Sequence, residues 1–183
     1  MKIITGNPGT GKHTIAKLIA SKSCLDIIDI NKVAIKEGIF RRNEGTHDVD
    51  VSKLKKIINK MQSENSILVG HLAPYVISTK NVERVVVLRK SPYKLQPIYK
   101  KRKYSNKKSL ENLGSEILGI VYHDCIREFG QKKTFQIDTS NDTISQTVKK
   151  VELFFKGKKK KDDNVDWLDL IFKKGDMKKF FPY

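Results

Sequence analysis

Apolar positions in this chain alternate between two spacings. Short, nearly continuous apolar runs occur at Ile3-Ile4, Leu25 to Ile28, Ser66 to Val69, Val85 to Leu88 and Phe135 to Ile137, and each reads as a buried strand. Between them the apolar residues recur three and four apart. Ile15, Leu18 and Ile19 mark a helix reaching about Ser23, and Val51, Leu54, Ile57, Ile58 and Met61 mark another. Residues 31–38 predict a short helix ending near Gly38. Ser91-Pro92 starts a helix with serine as cap and proline in its first turn, and Pro97 should kink or restart it. Residues 106–129 read as one longer helix and 141–155 as the last helix of the main domain. The stretch 40–48 is polar and reads as an irregular surface excursion.

Strands alternating with helices at this spacing predict parallel crossovers. The expected fold class is therefore α/β, a P-loop three-layer sandwich on a five-stranded parallel sheet. The domain should cover 1–155. Beyond it, Lys156-Gly157-Lys158-Lys159-Lys160-Lys161 is a basic linker of low complexity, followed by Val165 to Phe172, a short amphipathic segment with the only tryptophan. That 156–183 segment either docks back on the domain or grips a partner.

The first strand runs into Gly6-Asn7-Pro8-Gly9-Thr10-Gly11-Lys12-His13-Thr14. Its G-x-x-x-x-G-K frame between a strand and a helix is the chemistry of a phosphate cradle. Backbone N–H groups close on phosphate oxygens, the helix N-terminus adds partial positive charge, and Lys12 reaches the terminal phosphates. Gly9, Gly11, Lys12, His13 and Thr14 are the expected ATP-binding positions. Position 13 is His where the motif supplies a magnesium-binding hydroxyl. Either Mg2+ is held mainly by phosphates and water or Thr14 contributes, and His13 is a first-turn residue or a phosphate contact. The third strand ends at Gly70-His71, beside the phosphates of an open α/β sheet. A histidine there can orient a water or touch a transferred phosphoryl group.

Composition changes this picture in one respect. Lys and Arg number 37 against 20 Asp and Glu, a net charge of +17, which favours a polyanionic partner such as RNA or an acidic protein surface over a typical small-metabolite enzyme. Arg89, Lys90, Lys94, Lys100, Lys101, Arg102, Lys103, Lys107 and Lys108 fall in one stretch with no acidic residue. Two cysteines, Cys24 and Cys125, lack metal-ligand spacing and read as packing residues. No run approaches the roughly 20 apolar residues of a membrane span, so a cytoplasmic protein without membrane contact is expected.

The order of motifs resembles the adenylate kinase isoenzyme 6 family, particularly its archaeal members. The matching pieces are the glycine-rich loop, Gly70-His71-Leu72, Val86-Val87-Leu88-Arg89 with Ser91-Pro92, Arg102-Lys103-Tyr104-Ser105 with Lys108, Asn112 and Glu116, Ile137-Asp138-Thr139 and Asp166-Trp167-Leu168. The resemblance implies a broad-specificity nucleoside monophosphate kinase that converts ATP and AMP to two ADP and also hydrolyses ATP. It further implies a role in late maturation of the small ribosomal subunit, with a platform ribosomal protein and rRNA as partners. In such a protein about 30–53 holds the acceptor, and about 102–112 is a short lid whose Arg102 neutralises phosphate charge. Lys12, His71 and Arg102 would then be catalytic. A nucleotide-switched assembly factor with little kinase activity is the alternative, and a housekeeping adenylate kinase a third. The family's usual acidic residue two before the strand-end histidine is Val69 here, and arginines of the family fall at Ile98 and Ile35. Asp29, near the end of the second strand, is the candidate to replace the missing acidic partner of the metal.

Overall fold

The computed structural model describes residues 1–43, 46–158 and 161–182, with the backbone alone for 40–43 and 46–48. In chain order the elements are β1 (Lys2–Thr5), α1 (Lys12–Ser23), β2 (Asp26–Asp29), α2 (Ile30–Lys36), β3 (Phe40–Asn43), β4 (Thr46–Val49), α3 (Val51–Lys60), β5 (Ser66–Val69), α4 (Ala73–Val76), β6 (Arg84–Arg89), α5 (Pro92–Lys101), α6 (Asn106–Ile117), α7 (Ile120–Phe129), β7 (Thr134–Asp138), α8 (Ile144–Phe155), α9 (Trp167–Lys173) and α10 (Met177–Phe180).

Five strands form one parallel sheet in the order β2-β5-β1-β6-β7, the α/β P-loop architecture expected from the alternating runs. Successive side chains of a strand point to opposite faces, and both faces are apolar. Ile3, Leu68, Val85 and Val87 join Leu54, Ile58, Val121 and Phe129 on one side. Ile4, Ile67, Val69, Val86 and Leu88 join Ile15, Ile19, Val148, Val151 and Phe154 on the other. Covering both faces is why these strands read as continuous apolar runs. β1 leads through α1 to β2, which lies beyond β5, so the chain leaves the middle of the sheet in both directions. The crevice this opens lies at the carboxyl ends of β1, β5 and β2, the place where open α/β sheets bind ligands.

Three local expectations need correction. Within 40–48 the backbone forms an antiparallel hairpin, β3 with β4, with Arg41 opposite Asp48 and Arg42 opposite His47; residues 44 and 45 lie outside the described residues. Cross-strand backbone pairing supplies order that side-chain periodicity does not reveal. Pro97 does not restart α5, which runs without a break from Pro92 to Lys101. Only the bond to the Tyr93 carbonyl is forgone, while Leu95 and Tyr99, buried on either side of the proline, pin both halves to the same apolar cluster. The long helix 106–129 is two helices, α6 and α7, parted at Gly119, whose φ of 65° ends the first. Two of its acidic residues turn inward: Glu116 is fully buried, and Asp124 is engaged by Tyr75 and by Arg127 at 2.7 Å.

The last segment docks on the domain. Trp167, Ile171 and Phe180 are buried against Leu95, Tyr99, Leu113 and Ile117 of α5 and α6, a third apolar cluster separate from those of the sheet. Asp162 and Asp163 tie the approach to α9 onto β7, accepting from the backbone N–H of Gln136 at 3.1 Å and of Asp138 at 3.1 Å. Among the described residues no helix is long and apolar enough to cross a membrane.

Candidate active site

Leaving β1, the chain turns at Gly6, where φ is 135° and an added Cβ would sit 2.3 Å from the Leu88 carbonyl oxygen. Only glycine lets the loop pass this close to β6. At the other end Gly11 caps α1 with φ 95°, and nothing lies within 4 Å of the place its Cβ would take. Gly11 and the first residues of α1, Lys12, His13 and Thr14, line an open cavity, the place a phosphate cradle requires.

The loop is braced from within and from behind. Thr10 donates its hydroxyl to the Asn7 carbonyl at 2.9 Å, and Lys12 Nζ donates to the same carbonyl at 3.2 Å. Tyr99 of α5 donates its hydroxyl to the Pro8 carbonyl at 2.7 Å. The Asn7 side chain donates to Glu116 Oε2 at 2.8 Å and accepts from Ser115 Oγ at 3.1 Å. Glu116 in turn receives Arg89 Nε at 2.8 Å, and the other end of that guanidinium reaches Gln136 at 2.8 Å and the Glu116 carbonyl at 2.7 Å. A buried carboxylate is tolerated only with such a complete set of donors.

Lys12 is itself buried, and desolvation, then repulsion from Arg102, lowers its pKa to about 8. A cation held dry and off its ordinary value is primed for an anion. His71, just beyond β5, is pushed down to about 4 by burial first and then by the charge of Lys12, so it is neutral at pH 7. His13 Nε2 lies 3.3 Å from Asp29 Oδ2; burial and then Lys12 lower its pKa against the pull of that carboxylate. Asp29 pairs in register with Val69, so a carboxylate stands one strand over from the position where Val69 offers none. Its Oδ1 also caps α2, accepting from Asn31 N at 3.0 Å and Lys32 N at 3.2 Å.

One cavity of about 1120 Å³ gathers these groups. Gly9, Gly11, Lys12, His13, Thr14, His71 and Arg102 all line it, whereas Asp29 stays outside the lining and reaches it only through its contact with His13. Arg102 ends α5 on the rim, with Tyr104, Lys108 and Asn112 next along the chain. The far wall, Asn31, Ala34, Ile35, Val49, Val51 and Leu72, is mostly apolar. The cavity suits a nucleotide with room for a second ligand. Sequence reasoning missed Asn7 and Tyr99, and gave Glu116 no part in the loop. The sole signal was an asparagine inside a glycine-rich frame, which is too common to read.

For Mg2+ the donors offered are the Asp29 carboxylate and the exposed Thr14 hydroxyl. No cluster of three or more His, Cys, Asp or Glu suited to a metal occurs among the described residues. Such a donor set fits an ion carried on nucleotide phosphates and finished by water, the usual mode for Mg2+, and does not fit an all-protein cage.

A parallel sheet with a glycine-rich loop at its switch point, a buried lysine in that loop and a basic segment across the cavity define a kinase-type P-loop protein. Comparison with known proteins agrees. A family model described as an AAA domain matches residues 3–119. A Methanocaldococcus jannaschii protein named "Putative adenylate kinase" is 32% identical over 174 residues, covering 92% of this chain and 93% of the relative. A Methanococcus maripaludis protein of the same name is 30% identical over 177 residues, covering 92% and 96%. Shikimate kinase from Acinetobacter baumannii, solved with shikimate, shares the fold alone, with a TM-score of 0.57 over 87% of this chain and 95% of that one at 16% identity. The chain belongs to the AAA-domain family of P-loop proteins, in one group with these archaeal adenylate-kinase-like relatives.

Proposed function

We propose that the protein is an ATP-dependent nucleoside monophosphate kinase that transfers the terminal phosphoryl group of ATP to AMP, with ATP hydrolysis as a side activity. The observation that carries this reading is one shared cavity with a phosphate loop and Lys12 on one wall, and a mostly apolar wall from α2, Val49 and Val51 on the other. A hydrolase needs room only for nucleotide and water. A second wall able to take a base and sugar favours an acceptor.

In this reading the N–H groups from Gly9 to Thr14 and Lys12 hold the β- and γ-phosphates, and Arg102 adds its planar fork as charge develops on the transferred group. Neutral His71 positions the acceptor phosphate or, when none is bound, a water. Thr14 and Asp29 would hold a phosphate-borne Mg2+, which when bound offsets the charge of the β- and γ-oxygens. Lys12 stays protonated below about pH 8. The apolar wall aligns the acceptor by excluding water, since phosphoryl transfer depends mainly on position and electrostatics.

The wider role proposed is in maturation of the small ribosomal subunit, with a platform ribosomal protein and rRNA as partners. Lys100, Lys101, Arg102, Lys103 and Lys107 are all exposed beside the cavity, which favours a polyanion there and keeps a nucleotide-switched assembly factor as the second reading.

Incubating the protein with ATP and Mg2+, with and without AMP, while following ADP and free phosphate separately, tests the proposal. ADP formation that depends on AMP supports the kinase. Phosphate release indifferent to AMP supports the switch. Neither, even with ribosomal subunits added, would sink both.

A further inference from the structure

The docked C-terminal segment and the phosphate loop meet on the two oxygens of one carboxylate. Trp167, the first residue of α9 and the single tryptophan of the chain, donates its indole N–H to Glu116 Oε1 at 3.1 Å. Asn7 of the loop donates to Oε2 of the same group at 2.8 Å. Glu116 has no exposed surface, and its Oε1 is shared with Arg89 Nε and with the backbone N–H of Lys90 at 3.0 Å. Four donors from the loop, the end of β6 and the C-terminal segment therefore fix one buried charge. Removing or turning any of them leaves the others to redistribute in a dry site, where a missing partner is costly.

Asn7 is not a passive neighbour. Its carbonyl accepts Lys12 Nζ, so the residue that reads Glu116 with its side chain holds the phosphate-seeking lysine with its backbone. The segment has a second line to the loop. Ile171 and Phe180 pack against Leu95 and Tyr99, and Tyr99 holds the Pro8 carbonyl. A buried indole N–H needs an acceptor, and the one Trp167 takes is the carboxylate that also holds the loop.

We propose that Trp167 is a positioning residue for the phosphate loop, acting through Glu116 on Asn7, so that docking of α9 and binding of nucleotide phosphates are one coupled equilibrium. Coupling of this kind is reciprocal: whatever stabilises the docked segment tightens nucleotide binding, and nucleotide holds the segment down. Anything that lifts α9 away therefore loosens the grip on phosphate. The inference rests on reading the loop as a nucleotide site, and its test separates the two.

The test uses full-length protein and ADP with Mg2+, titrated by calorimetry, in three forms. Trp167→Phe keeps the apolar ring and deletes the donor. Phe172→Ala alters a side chain 71% exposed on the same helix and serves as control. The expected result is that Trp167→Phe weakens ADP binding about fivefold or more, in line with ordinary coupling strengths, while Phe172→Ala matches wild type. A purely structural role would lower the melting temperature of Trp167→Phe without moving ADP affinity at a temperature where it is folded, and that result overturns the proposal. Should Trp167→Phe not fold, the native chain decides alone, because all tryptophan emission comes from this residue. Emission that shifts as ADP saturates supports the coupling, and emission unchanged at saturation overturns it. If wild type itself binds no ADP, the nucleotide reading fails first and the coupling with it.

Discussion

The two walls of the cavity are built by different means. On the proposed donor side the loop is tied at three points to buried partners: Asn7 to Glu116, Pro8 to Tyr99, Lys12 back to Asn7. On the proposed acceptor side the wall comes from α2, seven residues long, and from residues at the end of a two-stranded hairpin, with Ile35 65% exposed and lining the cavity. A phosphate site must be rigid before its ligand arrives, because its work is electrostatic and depends on fixed donors. An acceptor site can instead close on its ligand, since apolar contact tolerates adjustment.

The comparison breaks most visibly at Lys12. Lys12→Ala should cut both AMP-dependent ADP formation and phosphate release by about 10³-fold, measured as initial rates at saturating ATP. Normal turnover in that variant would mean the wrong wall has been assigned to the donor. Next comes the brace. Glu116→Ala strands Arg89 without its carboxylate in the interior and should cost about 3 kcal/mol in a denaturant titration. A loss under 1 kcal/mol would show that the loop is not held from behind. Arg102 lies on the rim with no buried anchor, so Arg102→Ala should slow transfer about 10²-fold while leaving the melting temperature unchanged.

A pH titration sharpens the same contrast. Phosphates raise the pKa of Lys12 in the complex above its free value of about 8, so the complex holds more protons than the free protein in that range. ADP affinity should then be full below pH 8 and fall as pH rises above it, by about tenfold over one to two units, in calorimetric titrations. An affinity that rises across this window would contradict the protonated lysine. The smallest effect is expected at the acceptor wall. Ile35→Arg places a guanidinium where the apolar wall has none and should lower KM for AMP severalfold with KM for ATP unchanged.

The donor wall was legible because its chemistry is local. Gly6 to Thr14 carries its own glycines, lysine and helix start within nine consecutive positions, and the apolar runs on either side fix strand and helix. What lay hidden was long-range. Asn7 and Glu116 are 109 residues apart, and nothing in the periodicity of 106–129 reveals that Glu116 turns inward or that Gly119 divides the helix. The hairpin was missed because antiparallel pairing uses backbone groups common to all residues. Pro97 does not break the helix in two, because Leu95 and Tyr99 pack on both sides of it. The place of Asp29 at the end of its strand could be read from the sequence, but its register with Val69 and its contact with His13 required the fold.

The most direct test of the donor assignment is backbone hydrogen–deuterium exchange with and without a non-hydrolysable ATP analogue and Mg2+, before any AMP is added. The prediction is that protection concentrates on Gly6 to Thr14 and on the segment from Arg102 to Asn112, with α9 following through Glu116 and with α2 and α3 unchanged until AMP follows. Protection that begins on α2 and α3 while the glycine-rich loop exchanges as before would contradict it.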